Sequence, residues 1–544
     1  MRRSSARPLA PDLIAGGLFA LVTAAWSPVR ADVPAVDDAG ARTLASTLKS
    51  GLNRWFPATT DDSEGMGFEW EGEPTVKPAG DHYDVALPRL AAEDAAGLRL
   101  EIGTVLLSVT PQDGGLFGIT VTLPSKISIQ QLDADEEDYA ETATIALGRQ
   151  KFTGTWSAGL ETLLTVDAAY GDITVASPDG KGQVTVGSVT MAQDLKPDGA
   201  TTWSGPAALA IGNIAGTDDK KREAFKLGGL AVENSYQRAD LGKISNLQKL
   251  SQQVSTTGKP PTAAEVMPML QGMIGGFTTK VRLTGLSGTD SQDGSKVTLG
   301  QASFRMAVED LDKGSATASF GLEARDFGIT PSPAPSAFTP KAVEFQLSVA
   351  KLPNAALWKT LNDLVIAAEA EEKAKNTKSG KGKDKPAKAP AGPSATDAAM
   401  EGATAALVAA GSELRLDKLV VDTPATAGTA TGALRVASQA AYGVTGSTTV
   451  LLKGLDAAVK AMQPGPGKKP DKDTQDALGM IGMLQAFGQA SQDDTGAEVR
   501  SYKIDVTETG QILLNGADMA PLLAGGAPAE PTAPAEPGKK GVKK

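Results

Sequence analysis

Few side chains in this 544-residue chain offer covalent chemistry, and each lacks its companions. Ser46 and Lys49 stand in a Ser-x-x-Lys spacing that one helical turn would bring together as nucleophile and base. The Ser-Asp-Asn and Lys-Thr-Gly elements that complete such a site are absent. Thr155-Trp156-Ser157-Ala158-Gly159 is a loose version of the tight turn that exposes a nucleophilic serine, but its first glycine is missing and it lies in a strand-like run. Ser157 would need an imidazole base, and His82, the single histidine, reads as a strand-edge residue before the alternating Tyr83-Asp84-Val85-Ala86-Leu87. With no cysteine, thiol nucleophiles, disulfides and Cys-ligated zinc are excluded. Asp133-Ala134-Asp135-Glu136-Glu137-Asp138 is the densest run of hard oxygen donors. Its calcium-loop reading fails because no glycine supplies the sharp turn and Thr144 stands where a bidentate Glu belongs. The expectation is a protein with no catalytic residues, no metal and no cofactor.

The elements that would position any site are mainly strands. An opening helix is predicted from Leu44, Leu48, Leu52 and Trp55, closed by Pro57. Alternation then marks Leu98 to Ile102, Val105 to Val109 and Ile119 to Leu123 as successive strands of a meander, with a turn at Pro111 to Gly115. Asp179-Gly180 and Asp293-Gly294 suit hairpin turns. The run Gln183 to Thr190 is echoed by Lys296 to Ser303, and each copy continues through an acidic turn to a return strand, Gly212-Asn213-Ile214 and Phe327-Gly328-Ile329. A helix-loop-helix followed by a strand recurs at Leu247 to Phe277, Asn354 to Ala410 and Leu455 to Phe487. The expected fold is therefore mainly β with helix pairs (α+β): degenerate repeats of antiparallel hairpin sheets, each covered by a helix-loop-helix, in an elongated architecture.

The boundaries predicted are a signal peptide at 1–31, β-rich modules at 32–222 and 223–352, a third module at 353–519 and a disordered tail at 520–544. Residues 373–393, with seven lysines among Gly, Pro and Ala, read as a solvated disordered insertion. Arg2, Arg3 and Arg7, the apolar stretch Leu13 to Trp26 and Val29-Arg30-Ala31 form an export signal cleaved after Ala31. That stretch is too short to span a bilayer as a helix, so the mature protein is expected in the periplasm and not integral to the membrane. A formal net charge of −11 argues against a nucleic-acid partner.

Apolar stripes supply the remaining candidate site. Val266, Leu270, Met273, Ile274 and Phe277 fall on one helical face, and Ala477, Met480, Ile481, Leu484 and Phe487 on another. Val266, Met269, Leu270, Met273, Ile274, Met480, Ile481, Met483 and Leu484 are the residues assigned to an apolar ligand, flexible thioethers being suited to variable apolar surfaces.

Exported, cysteine-free, Gly/Ala-rich hairpins punctuated by helix pairs resemble the AsmA-like and YdgA-like periplasmic proteins of Proteobacteria. Val506-Thr507-Glu508-Thr509-Gly510-Gln511-Ile512-Leu513-Leu514-Asn515-Gly516 is similar to the last hairpin of the YdgA-like group. The resemblance implies envelope maintenance through lipid contact along a curved sheet, and carries over no catalytic residue. The function expected is a non-catalytic periplasmic envelope protein binding lipid or another apolar envelope component on a sheet or helix face. The alternatives are a structural or partner-binding scaffold without a ligand groove and, more remotely, a serine hydrolase.

Overall fold

The structure, a computed structural model, describes residues 33–55, 66–94, 96–132, 138–218, 220, 222–257, 261–290, 293–332, 336–378, 395–463 and 471–520. The export signal, the acidic run at 133–137, most of the lysine-rich insertion and the tail from 521 lie outside these residues. The chain divides into two compact units, residues 1–333 with 354–402, and residues 334–353 with 403–544.

In the first unit, helix α1 (Asp38–Trp55) precedes β1 (Met66–Glu71), β2 (Thr75–Ala79), β3 (His82–Ala86), β4 (Arg89–Asp94), β5 (Leu98–Gly103), β6 (Leu106–Gln112), β7 (Leu116–Thr122), β8 (Lys126–Leu132), β9 (Tyr139–Ala146) and β10 (Arg149–Ser157). There follow β11 (Thr162–Ala176), β12 (Gln183–Asp194), β13 (Lys196–Pro197), β14 (Thr202–Thr217) and β15 (Glu223–Asp240), helices α2 (Leu241–Thr257) and α3 (Ala263–Leu270), and β16 (Gly276–Thr289), β17 (Lys296–Glu309) and β18 (Ser315–Thr330). Helix α4 (Asn354–Lys378) also belongs here. It extends through the first residues of the segment expected to be disordered, 373–378, where Lys373, Ala374 and Lys375 are good helix formers.

All the described strand pairs are antiparallel, and most short strands are halves of longer ones. β9 and β10 keep one register along β11, with Ala146 opposite Thr174 and Arg149 opposite Gly171, so Leu147-Gly148 interrupts a single long strand. β5 and β6 are related in the same way: β5 pairs with β4 and β8, whereas β6 pairs with β3 and β7. The expectation of β5, β6 and β7 as three successive meander strands is corrected accordingly. Gly103 has φ 86°, a conformation glycine adopts without a Cβ penalty, and it kinks the strand instead of reversing it. The turn after β6 is also shorter than expected, because Pro111 is paired with Phe117 inside the hairpin.

The interruptions line up into a crease that runs from β10 to β18. From Gly148 it passes to Asp172 (φ 55°) on β11, Gly187 on β12, Asn213 (φ 55°) on β14, Gly228 on β15, Gly285 (φ 62°) on β16, Gly300 on β17 and Asp326 (φ 56°) on β18. Each left-handed residue faces a glycine because a second Cβ does not fit: one built on Gly148, Gly187 or Gly300 would sit 2.7, 3.0 or 2.8 Å from the Cβ of Asp172, Asn213 or Asp326. The echo between 183–190 and 296–303 is thus one repeat of this crease, but the return strands align at Asn213 and Asp326, not at the Gly212 and Phe327 positions read from the sequence.

A left-handed residue inside a strand resets the alternation of faces. Tyr170 and Ile173 are both buried, as are Val186 and Val189, although strict alternation would put the members of each pair on opposite faces. Side chains from both sides of the crease join one core cluster, including Val85, Val105, Phe117, Ile127, Phe152, Trp156, Tyr170, Ile173, Val189 and Ile211, so the apolar face is the inside of the fold. Ala41, Leu44 and Leu48 of α1 complete it. Leu241 with Ile244 of α2 packs on Leu164, Leu195, Trp203 and Tyr236.

In the second unit, β19 (Ala342–Pro353) pairs with β20 (Glu413–Asp422), followed in the ladder by β21 (Ala427–Val436), β22 (Val444–Lys453) and, after a short β23 (Gln489–Gln492), β24 (Glu498–Val506). β25 (Ile512–Leu514) pairs with β24 and with β26 (Ala517–Asp518), the closing hairpin expected from the sequence. Helix α5 (Ala395–Ala410), which begins in the first unit and belongs to the second from Ala403, precedes β20, and α6 (Leu455–Met462) packs on α7 (Lys472–Phe487). The helix pairs therefore exist at the three places predicted, within a mainly β architecture.

Candidate functional site

The crease continues past the filled core, and so does its apolar lining. One row beside it runs Tyr170, Val189, Ile211, Leu230, Leu283, Ala302 and Ala324 across β11, β12, β14, β15, β16, β17 and β18. The next runs Ala168, Met191, Leu209, Val232, Val281, Phe304 and Leu322. On the other side of the crease lie Ile173, Val186, Ile214, Leu227, Leu286, Leu299 and Phe327.

Burial falls steadily along these rows. Val189 and Met191 are 3% and 4% exposed, whereas Phe327 and Leu322 are 41% and 47% exposed. The five large apolar side chains of β15 to β18 that are exposed, Phe225, Val297, Met306, Leu322 and Phe327, all fall on this face. Phe304 and Phe320 meet edge to face at 5.4 Å between centroids. The polar interruption, Asn234 beside Thr279, is internally satisfied by a 2.8 Å hydrogen bond from the threonine hydroxyl. The face is thus ordered, apolar and progressively open. Period-2 alternation could have revealed it, had the one-residue slip at each Gly or Asp/Asn of the crease been allowed for.

The helical candidates are placed differently. α3 ends at Leu270, so only Val266, Met269 and Leu270 lie on it, each half-buried; Met273 and Ile274 follow in a turn and Phe277 begins β16, which corrects the single helical face. Gly272 at φ 68° stops the helix there. Ile274 packs against the Leu164 and Leu241 cluster. The buried Ala263 and Met267 of α3, with Pro268, line a cleft of about 420 Å³ against Trp358, Lys359 and Asn362 of α4. On α7, Ile481 and Leu484 are half-buried, while Met480 and Met483 are 59% and 56% exposed. The inner side of α7 is fixed by the Tyr502 hydroxyl, which donates to the Leu484 carbonyl at 2.6 Å.

The groups considered for chemistry are engaged elsewhere. Lys49 forms an ion pair with Glu73, and Ser46 is exposed on α1. Ser157 is buried at the end of β10. His82 Nδ1 lies 2.9 Å from Asp81 and Nε2 lies 3.4 Å from Asp84; the Asp81 hydrogen bond raises the imidazole pKa above its ordinary value, and the charges of both aspartates add to it. Among the described residues no cluster of His, Cys, Asp or Glu is arranged to hold a metal ion, and no helix is long and apolar enough to cross a membrane.

A second surface cleft, of about 680 Å³ over β1, β4 and β5, is lined by Glu69, Glu71, Arg89, Arg99 and Glu101. Its charges neutralise one another: Arg99 lies 2.7 Å from Glu69 and 3.3 Å from Glu93, and Arg89 lies 3.1 Å from Glu101. No family model, curated protein or solved structure matches the chain.

Proposed function

We propose that the protein is a non-catalytic envelope protein of the periplasm that holds the acyl chain of a lipid against the inner face of β15 to β18. The observation that carries this reading is the continuity of the apolar rows from a filled core into an exposed stretch. A fold needs the first and gains nothing from the second, since exposed apolar area costs about 25 cal/mol per Å². Four neighbouring strands span about 14 Å at strand spacing, close to half of the roughly 30 Å hydrocarbon core of a bilayer, which is the reach of one acyl chain. The absence of cysteine and the basic and apolar composition of residues 1–31 support export. In this reading the α2 and α3 pair acts as a lid at the strand ends.

Native mass spectrometry of protein purified from a periplasmic extract, without detergent, is expected to show co-purified lipid. Leu322→Asp with Phe304→Asp is expected to remove it while leaving tryptophan fluorescence native. Lipid-free protein that also takes up no fluorescent fatty acid would favour the scaffold reading instead.

A further inference from the structure

The opposite face of the same strands is basic. Alternation places Lys280 and Arg282 of β16, Arg305 of β17 and Arg325 of β18 there, with Lys226 and Lys296 beyond the crease, against Glu233, Glu309 and Glu323. This excess of positive charge stands in a chain of net −11. Arg325 is paired with Glu323, but Lys226, Lys280, Arg282, Lys296 and Arg305 have no ion pair within 4.0 Å among the described residues. Lys280 and Arg305 are direct cross-strand neighbours, an arrangement that like charges destabilise. Arg282 Nε is buried without a hydrogen-bond partner. The Arg89 and Arg99 cleft shows the contrast, since every cation there has its own carboxylate.

We propose that this outer face docks on an anionic bilayer surface, the phosphates of the lipid headgroups supplying the missing counter-charge. The cations are spread over neighbouring strands about 4.8 Å apart and do not converge on one point. That spacing suits a flat, laterally mobile array of phosphates better than a single bound anion. The choice of a membrane over an acidic protein rests on the acyl-chain reading above, because a protein that exchanges lipid must reach a bilayer.

The test is co-sedimentation of the full-length protein with phosphatidylcholine vesicles, with and without phosphatidylglycerol. Binding is expected only to the anionic vesicles and is expected to weaken with salt. Lys280→Gln, Arg282→Gln and Arg305→Gln together are expected to weaken it roughly 100-fold, each lost cation counting for about a factor of five. A second set confined to exposed positions, Lys226→Gln, Lys296→Gln and Arg305→Gln, guards against misfolding and is expected to act in the same direction. Equal binding to both vesicle types, or anionic binding unchanged in both variants, overturns the proposal. So does capture by soluble polyglutamate without vesicle binding, which would mark an acidic protein as the partner. Uptake of a fluorescent fatty acid, measured in parallel, separates the two readings: lost uptake with intact anionic docking rejects the acyl-chain proposal and leaves this one standing.

Discussion

The crease can be tested at a single pair of residues. Gly300 faces Asp326, which holds φ 56°, and a Cβ on Gly300 would lie 2.8 Å from the Asp326 Cβ and 2.9 Å from its carboxylate. Gly300→Ala must therefore push two strands apart or twist Asp326, and overpacking of this kind costs about 1–3 kcal/mol. Asp326→Gly removes a left-handed non-glycine residue and is expected to be neutral or to stabilise by up to about 1 kcal/mol. The decisive variant is the exchange. The three nearest atoms to a Cβ at Gly300 all belong to the Asp326 side chain, so in the Asp326→Gly background Gly300→Ala should cost only a few tenths of a kcal/mol. Trp55, Trp70, Trp156, Trp203 and Trp358 belong to the first unit and the second unit has no tryptophan, so urea unfolding followed by tryptophan fluorescence reports on the right part of the molecule. Additive costs, with Gly300→Ala equally harmful in both backgrounds, would refute the claim that paired Cβ atoms enforce the glycine.

Leu44→Ala, which empties a 5% exposed position where α1 meets the sheet, is expected to lower first-unit stability by about 2–5 kcal/mol in the same assay. Met480→Asp, at a 59% exposed position of α7, should leave stability within about 0.5 kcal/mol of the parent in thermal melts. Burial raises the Tyr170 phenol to about 12, above its ordinary value of 10, so its contribution is full below pH 10 and is lost as pH rises toward 12; Tyr170→Phe should reduce alkaline unfolding over that window. Lys351 and then Arg415, each 2.5 Å away, hold Glu413 at about 2, so its contribution is present above pH 4.5 and lost as pH falls toward 2; Glu413→Gln should flatten acid unfolding of the second unit there, read by tyrosine absorbance.

Local pattern carried the element types well: α1, the helix pairs and the glycine turns at Gly180 and Gly294 are where periodicity and turn chemistry put them. It failed where a glycine had two structural meanings. Gly103 has the same composition signal as a hairpin turn, and only pairing with a distant strand distinguishes a kink from a reversal. The helical stripe failed for a related reason. Met273 and Ile274 continue the 3.6-residue spacing of α3 through a turn the spacing does not register, since side-chain periodicity says nothing about where backbone hydrogen bonds stop. The apolar sheet face went unread because each crease residue inverts the alternation midway, so no strand longer than the crease shows a clean period of two. The basic outer face was hidden by the same inversion and by the acidic total charge.

A creased meander must fill the space between its two half-sheets, and along this one the filling changes. Near α1 the chain supplies Tyr83, Phe117, Phe152 and Trp156, together with Leu44 and Leu48 from the helix itself. Along β15 to β18 the rows beside the crease carry Leu230, Leu283, Ala302 and Ala324 on one side and Leu227, Leu286 and Leu299 on the other. Ala302 and Ala324 are smaller than Tyr170 in the same row, while Phe327 beside the crease and Leu322 one row further out each have over two-fifths of their surface exposed. Core packing gains nothing from that exposure, since an apolar side chain left open forgoes its burial energy. Under the acyl-chain proposal, the bound chain covers Leu322 and Phe327 and completes the packing that the protein leaves open.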